Sequence, residues 1–232
     1  MATWAIPLAL VLGQASGAHA AAVTVPAGLN PGDTYRIMFV TSTQRDATSS
    51  IIADYNAFVT TAANLDPGLA GLGTTWASLA STATVNVLTN LLNEVALASG
   101  DNTIRIYNTE GALIATGVTV PVTGLYGGLS TIHTDRIADE TGFFSNKSVW
   151  TGTGSSGNTF SPLGQSNARL GNAGSFLAAW TQGAAATIIT PPLSIYGISG
   201  LLTVPVPEPS TLAMLGSAIV ALGLAKIRGV RK

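Results

Sequence analysis

The sequence predicts an α+β fold: a small, twisted, mostly antiparallel sheet with one main N-terminal helix, long loops and a C-terminal transmembrane helix. Three observations carry this. Ile51, Tyr55, Phe58, Val59 and Ala62 recur at helical spacing in one early stretch. Later runs are short, rich in β-branched and aromatic residues, and separated by Gly-, Ser- and Asn-rich segments, which suits short strands joined by loops. The last apolar run extends from Leu212 to Ala225, interrupted by Ser217, and is followed by Lys226, Arg228, Arg231 and Lys232.

In chain order, Met1–Ala20 reads as a signal peptide, with an apolar run around Trp4–Leu12 and small residues ending Ala18-His19-Ala20. Its n-region holds no Lys or Arg. Pro26–Asp33 is a turn-rich lead-in. Thr34–Ser42 carries Tyr35, Ile37, Phe39 and Val40 and predicts a strand buried on at least one face. Thr48 or Ser49 is the expected N-cap of a helix over Ile51–Asn64, which Pro67-Gly68 ends. Thr75–Leu79 follows as a strand candidate, Val85–Leu92 reads equally as strand or short helix, and Ile104–Tyr107 is strand-like. Asn108–Gly111 is a turn into Ala112–Val122, which has strand composition. Thr123–Ser145 is Gly-rich and polar. Ser148–Thr151 predicts a strand, 152–174 a long loop, Phe176–Trp180 a short strand and Leu193–Val204 a closing strand or strand pair. No repeat of fixed period occurs.

Residues 21–205 form the expected exported domain. It holds six basic against ten acidic residues, a net of −4, which argues against nucleic acid or anionic membrane surfaces as partners. The chain has no cysteine, which excludes a cysteine nucleophile, a zinc–thiolate site and an iron–sulfur cluster. No cofactor is expected.

Gly152-Thr153-Gly154-Ser155-Ser156-Gly157 matches G-x-G-x-x-G literally. That motif binds a dinucleotide only where a helix follows and an acidic residue lies about 20 residues on. Here Asn158-Thr159-Phe160-Ser161-Pro162 follows, and Asp and Glu are absent from Thr141 to Pro207, so a flexible surface loop is the better reading. His133 is the single histidine after Ala20 and sits near Asp135, Asp139 and Glu140. A Ser-His-Asp triad would need an activated serine, and there is no G-x-S-x-G elbow. The expectation is a solvated polar loop, with weak calcium binding as the alternative for its carboxylates. Trp76, Trp150 and Trp180 are expected in the core; if Trp150 or Trp180 is exposed, it becomes a candidate for stacking on a sugar. The chain is therefore expected not to be an enzyme.

The tail, 206–232, is the most informative part. Thr211–Ala225 is 15 residues, about 22 Å as a helix, against the roughly 20 apolar residues of a full span. Snorkelling Lys226 and Arg228 can extend it, and the four terminal basic residues place the C-terminus in the cytoplasm. Pro207 and Pro209 cannot lie inside a helix, so an extended segment precedes the span. Val206-Pro207-Glu208-Pro209, a short apolar helix and the basic cluster Lys226, Arg228, Arg231 and Lys232 together resemble the PEP-CTERM sorting signal of exopolysaccharide-producing Gram-negative bacteria. That resemblance implies recognition by a membrane enzyme, exosortase, a transient stay in the inner membrane, removal of the tail, and delivery to the cell surface or extracellular matrix. The order of elements over 34–204, with Trp76, Arg105–Tyr107, Lys147–Trp150, Gly152 and Ile195–Ile198 at matching places, is similar to the endostatin and C-type lectin-like fold. This implies, as an alternative, a glycan-binding module associated with exopolysaccharide. The family's disulfides, its calcium-dependent sugar triplets, and the N-terminal histidines and arginine-rich face of endostatins are missing here.

Overall fold

The structure is a computed structural model that describes residues 24–129, 133–186 and 188–206. The expected signal peptide, the sorting residues Pro207, Glu208 and Pro209, the helix at 211–225 and the terminal basic cluster lie outside the described residues. Among the described residues no helix is long and apolar enough to cross a membrane.

The sheet is organised around strand β1, Thr34–Val40. Its residues alternate between two cores: Tyr35, Ile37 and Phe39 face one, Met38 and Val40 the other. Burial on both faces marks it as central. Helix α1, Ile52–Ala63, lays Tyr55, Val59, Ala62 and Ala63 on the first core. Its expected serine cap is displaced: Ile51 stands at the N-cap position, and the Ser49 hydroxyl instead accepts from the Ile51 N–H and donates to Asp54. Pro67 opens a further turn of helix, α2 (Pro67–Gly71), where a missing N–H costs nothing and Asp66 caps the Leu69 N–H at 2.9 Å.

Strand β2, Trp76–Ser78, packs Trp76 edge-on against Phe39 at 5.2 Å. The ambiguous stretch after it is helix α3, Val87–Val95, capped by Asn86 on the Thr89 N–H at 2.8 Å. It places Val87, Leu91 and Val95 on the second core. The sheet therefore has a helix on each face, where one main helix was expected. Strands β3 (Arg105–Asn108) and β4 (Leu113–Thr116) follow, β4 being shorter than its composition suggested. Strand β5, Ser148–Trp150, falls as expected. The Gly/Ser/Asn-rich stretch after it is more than a loop: β6, Ala168–Asn172, pairs with β5 on one side and with β7, Ala185–Ala186, on the other. Phe176–Trp180 is no strand; Ala178–Trp180 is a 3₁₀ turn that drives Trp180 inward. The closing pair is β8, Tyr196–Ser199, and β9, Leu202–Thr203.

The main sheet runs β2-β8-β1-β3-β4, with β9 also on β1. The β1–β3 pair is parallel and the rest antiparallel, so the mixed α+β architecture with a mostly antiparallel sheet holds. Strands β8 and β9 are one interrupted strand. Met38 faces Ile198 and Tyr35 faces Leu202, so one extra residue bulges from the partner. The Ser199 hydroxyl fills the gap by accepting the Ile37 N–H at 2.9 Å. Gly197 lies under Phe39, and a Cβ there would come within 2.7 Å of the ring. The outer edge of β2 is closed by amides: Asn56 Oδ1 accepts the Ser78 N–H at 2.9 Å, and Asn90 Nδ2 donates to the Ser78 carbonyl at 2.8 Å. Two side chains from α1 and α3 thus stand where another strand would pair.

Candidate functional site

The C-terminal exit is built by the first and last segments of the domain together. Leu202 and Thr203 pair with Tyr35 and Thr34. Beyond them the Val204 N–H donates to Asp33 at 2.9 Å, and the Gly32 N–H donates to the Val204 carbonyl at 3.0 Å. Val204 is 7% exposed and Val206 65%. At the other end Tyr35 Oη donates to the Thr24 carbonyl, holding the beginning of the described chain against the same edge. An open groove of about 470 Å³ lies between them, lined among others by Thr24, Tyr35, Leu72, Leu201 and Pro205. The Pro31-Gly32-Asp33 turn, legible only as a turn, is thus the clamp on the exit strand.

The His133 region is not a solvated loop. His133 is 2% exposed, Asp139 4% and Glu140 0%, because the segment is drawn onto the end of β1 by the Val40 N–H donating to Ala138 at 2.9 Å. Burial pushes the His133 imidazole down to about 4, against a smaller opposing pull from the Leu125 backbone. Apart from that backbone contact its ring nitrogens are without a hydrogen-bond partner among the described residues, and its ring packs on Trp180. Asp139 accepts from the Thr141 N–H and hydroxyl, the Phe143 N–H and Lys147 Nζ, the last at 2.9 Å. Burial acts to raise its pKa, but the hydrogen bonds from Thr141, Lys147 and Phe143 together prevail and hold it below the usual carboxylate range. Glu140 is spent on the Ser42 N–H and hydroxyl. Asp135 is half-buried, and its carboxylate accepts the adjacent Arg136 N–H. The carboxylates do not converge, and among the described residues no group of three His, Cys, Asp or Glu side chains is placed to hold a metal ion.

Trp150 is 1% exposed and Trp180 0%, so neither meets the condition for stacking on a sugar. Trp150 Nε1 donates to the Pro191 carbonyl at 3.2 Å, and Trp180 is enclosed by Tyr126, His133 and Tyr196. The literal G-x-G-x-x-G is a hairpin-like turn, in which the Gly154 N–H donates to Asn158 and Thr153 bridges Thr159. Gly152 is required at φ 62°, where an added Cβ would lie 2.3 Å from the Ser81 carbonyl oxygen. Its role is close packing, with no helix following to receive a phosphate.

The exit strand leads into a stretch that resembles a characterised family. Residues 205–232 match the family model of the PEP-CTERM protein-sorting motif. This PEP-CTERM match supports a chain that is exported, held at the membrane by its C-terminal segment, and processed by an exosortase. It begins at Pro205, one residue past the clamp on Val204. Of the PEP-CTERM residues singled out, Val206 is described and projects into solvent; Pro207, Glu208 and Pro209 follow beyond the described residues. No curated protein matches the chain. The match does not reach residues 34–204, and the expected resemblance to the C-type lectin-like fold is not supported.

Proposed function

We propose that residues 24–206 are a non-enzymatic cargo domain, delivered through the PEP-CTERM tail to the cell surface or the extracellular matrix. The observation that carries the reading is the motif match directly after a closed domain edge. Support for the non-enzymatic part comes from how the chemically able groups are used. The buried carboxylates Asp139 and Glu140 are committed to loop N–H and hydroxyl donors. His133 is enclosed with Trp180 and, among the described residues, has no nucleophile or carboxylate in hydrogen-bond contact.

The test is replacement of Pro207, Glu208 and Pro209 by Ala in a host encoding an exosortase, with fractionation and immunoblotting. The expected result is full-length protein accumulating in the inner membrane, while the wild type is shortened and leaves it. Wild-type processing and distribution in the triple variant would defeat the proposal.

A further inference from the structure

Strand β3 starts at Arg105, which lies in register with Tyr35 of β1 on one side and with Thr116 of β4 on the other. Asp33, just ahead of β1, is fixed as firmly. Its N–H donates to the Asn30 carbonyl at 2.9 Å, its carbonyl accepts the Val204 N–H, and its Oδ2 accepts the Asn30 N–H at 2.8 Å. The starts of the two parallel strands thus frame an open recess of about 190 Å³, lined by Leu29, Asp33, Thr34, Thr103 and Arg105. Asp33 and Arg105 carry opposite charge into it, yet they form no ion pair. The Arg105 guanidinium, Asp33 Oδ1 and the hydroxyls of Thr34 and Thr103 have no hydrogen bond among the described residues. Arg36, Arg45 and Arg169, by contrast, all donate to backbone carbonyls.

We propose that the recess between Asp33 and Arg105 binds one unit of a neutral sugar chain. A guanidinium only donates hydrogen bonds and an ionised carboxylate only accepts them. A ligand that satisfies both must therefore accept on one side and donate on the other. A sugar hydroxyl does both, and a pair on neighbouring ring carbons can accept from Arg105 and donate to Asp33 Oδ1, with the Thr34 and Thr103 hydroxyls lining the same space. A simple anion would meet the Asp33 carboxylate, and a simple cation the Arg105 guanidinium, so each is disfavoured. The volume suits a single ring, and because the recess is open that ring can belong to a longer chain. Leu29 is the single apolar wall, so binding rests on charge-assisted hydrogen bonds and is weak, with a dissociation constant on the order of 1 mM per unit. The site goes beyond the sorting reading and does not depend on the tail.

The test is saturation-transfer difference NMR on the full chain, held in a detergent without a sugar headgroup. The probes are the methyl pyranosides of glucose, mannose and galactose, with sodium glucuronate and glycine as the anionic and zwitterionic comparisons. At least one neutral glycoside should receive saturation, and more of it than either charged probe. Arg105→Met and Asp33→Asn should each lower that signal about tenfold, with the thermal midpoint kept within about 2 °C. Should Asp33→Asn loosen the clamp on Val204, Arg105→Met, at an exposed strand end, decides alone. Three results overturn the proposal: no transfer to any neutral glycoside, a stronger signal from glucuronate or glycine, or transfer that survives the Arg105 substitution. Each leaves the sorting function standing, because that is read from processing of the tail.

Discussion

The imidazole of His133 lies 4.7 Å from the indole of Trp180, centroid to centroid, tilted by 46° and sealed from solvent. A histidine in that position stays neutral, because the desolvation of a buried positive charge outweighs the pull of the Leu125 backbone, which would favour it. Its folded-state value, about 4, lies below the roughly 6.5 of an unfolded chain. The unfolded chain therefore binds the extra proton first as pH falls. Stability from this group is complete above about pH 6.5 and drains away between there and pH 4. The expected loss is about 3 kcal/mol. Urea denaturation of the domain at pH 7 and pH 4 measures it. His133→Phe should flatten the profile in that window; a slope unchanged by the substitution would assign it to other groups.

Asp139 titrates in a different window. Its folded-state value is depressed, so its stabilisation is present above the unfolded carboxylate range and is lost as pH falls below about 4. Lys147 is one of several donors to it, while the Thr141 and Phe143 donors remain when the ammonium is removed. Lys147→Met should cost about 1 kcal/mol, and Asp139→Ala, which orphans the loop donors, about 3 kcal/mol. Thermal melts of both variants at pH 7 decide the order; equal losses would contradict the hub role of the carboxylate.

The amide pair Asn56 and Asn90 closes the β2 edge by bonding each other at 2.9 and 3.0 Å and by bonding Ser78. Asn56→Ala leaves the Ser78 N–H and the Asn90 side chain without their acceptor in a buried place. The expected cost is about 3 kcal/mol, with increased light scattering on storage as the edge opens. A shift in the urea midpoint corresponding to less than about 0.5 kcal/mol would show that solvent replaces the amide.

Gly197→Ala is expected to cost about 2 kcal/mol by overpacking against Phe39. In a Phe39→Leu background the same change should cost less, because the obstructing ring atoms are gone. A double-mutant cycle by chemical denaturation reads the coupling, and additive losses would place the strain elsewhere.

Much of the architecture is legible in the residues themselves. The elements β1, α1, β2, β3 and β5 announce themselves by apolar period, because each rests directly on a core. Strand β6 does not: Ala-Arg-Leu-Gly-Asn has little strand character, and it is a strand because β5 and β7 hold it from both sides. Long-range pairing of that kind leaves no local trace. The helix α3 is hidden until Asn86 is seen as a cap. The polar run around His133 looks solvated, and only its apolar Ile137 and Ala138, drawn under the end of β1, betray burial. In the tail the composition is the message, so the sorting motif is readable from sequence. Its clamp, made by the Gly32–Asp33 turn on Val204, is visible only in three dimensions.

The central strand has a consequence for timing. Thr34–Val40 leaves the export channel early, but its antiparallel partners, Tyr196–Ser199 and Leu202–Thr203, are the last elements of the domain to follow. Until they arrive, β1 has one flank unpaired and the sheet cannot close. The residue that completes the ladder, Thr203, precedes the start of the PEP-CTERM match at Pro205 by two positions. Closure of the sheet therefore waits on residues that directly precede the sorting motif in the chain.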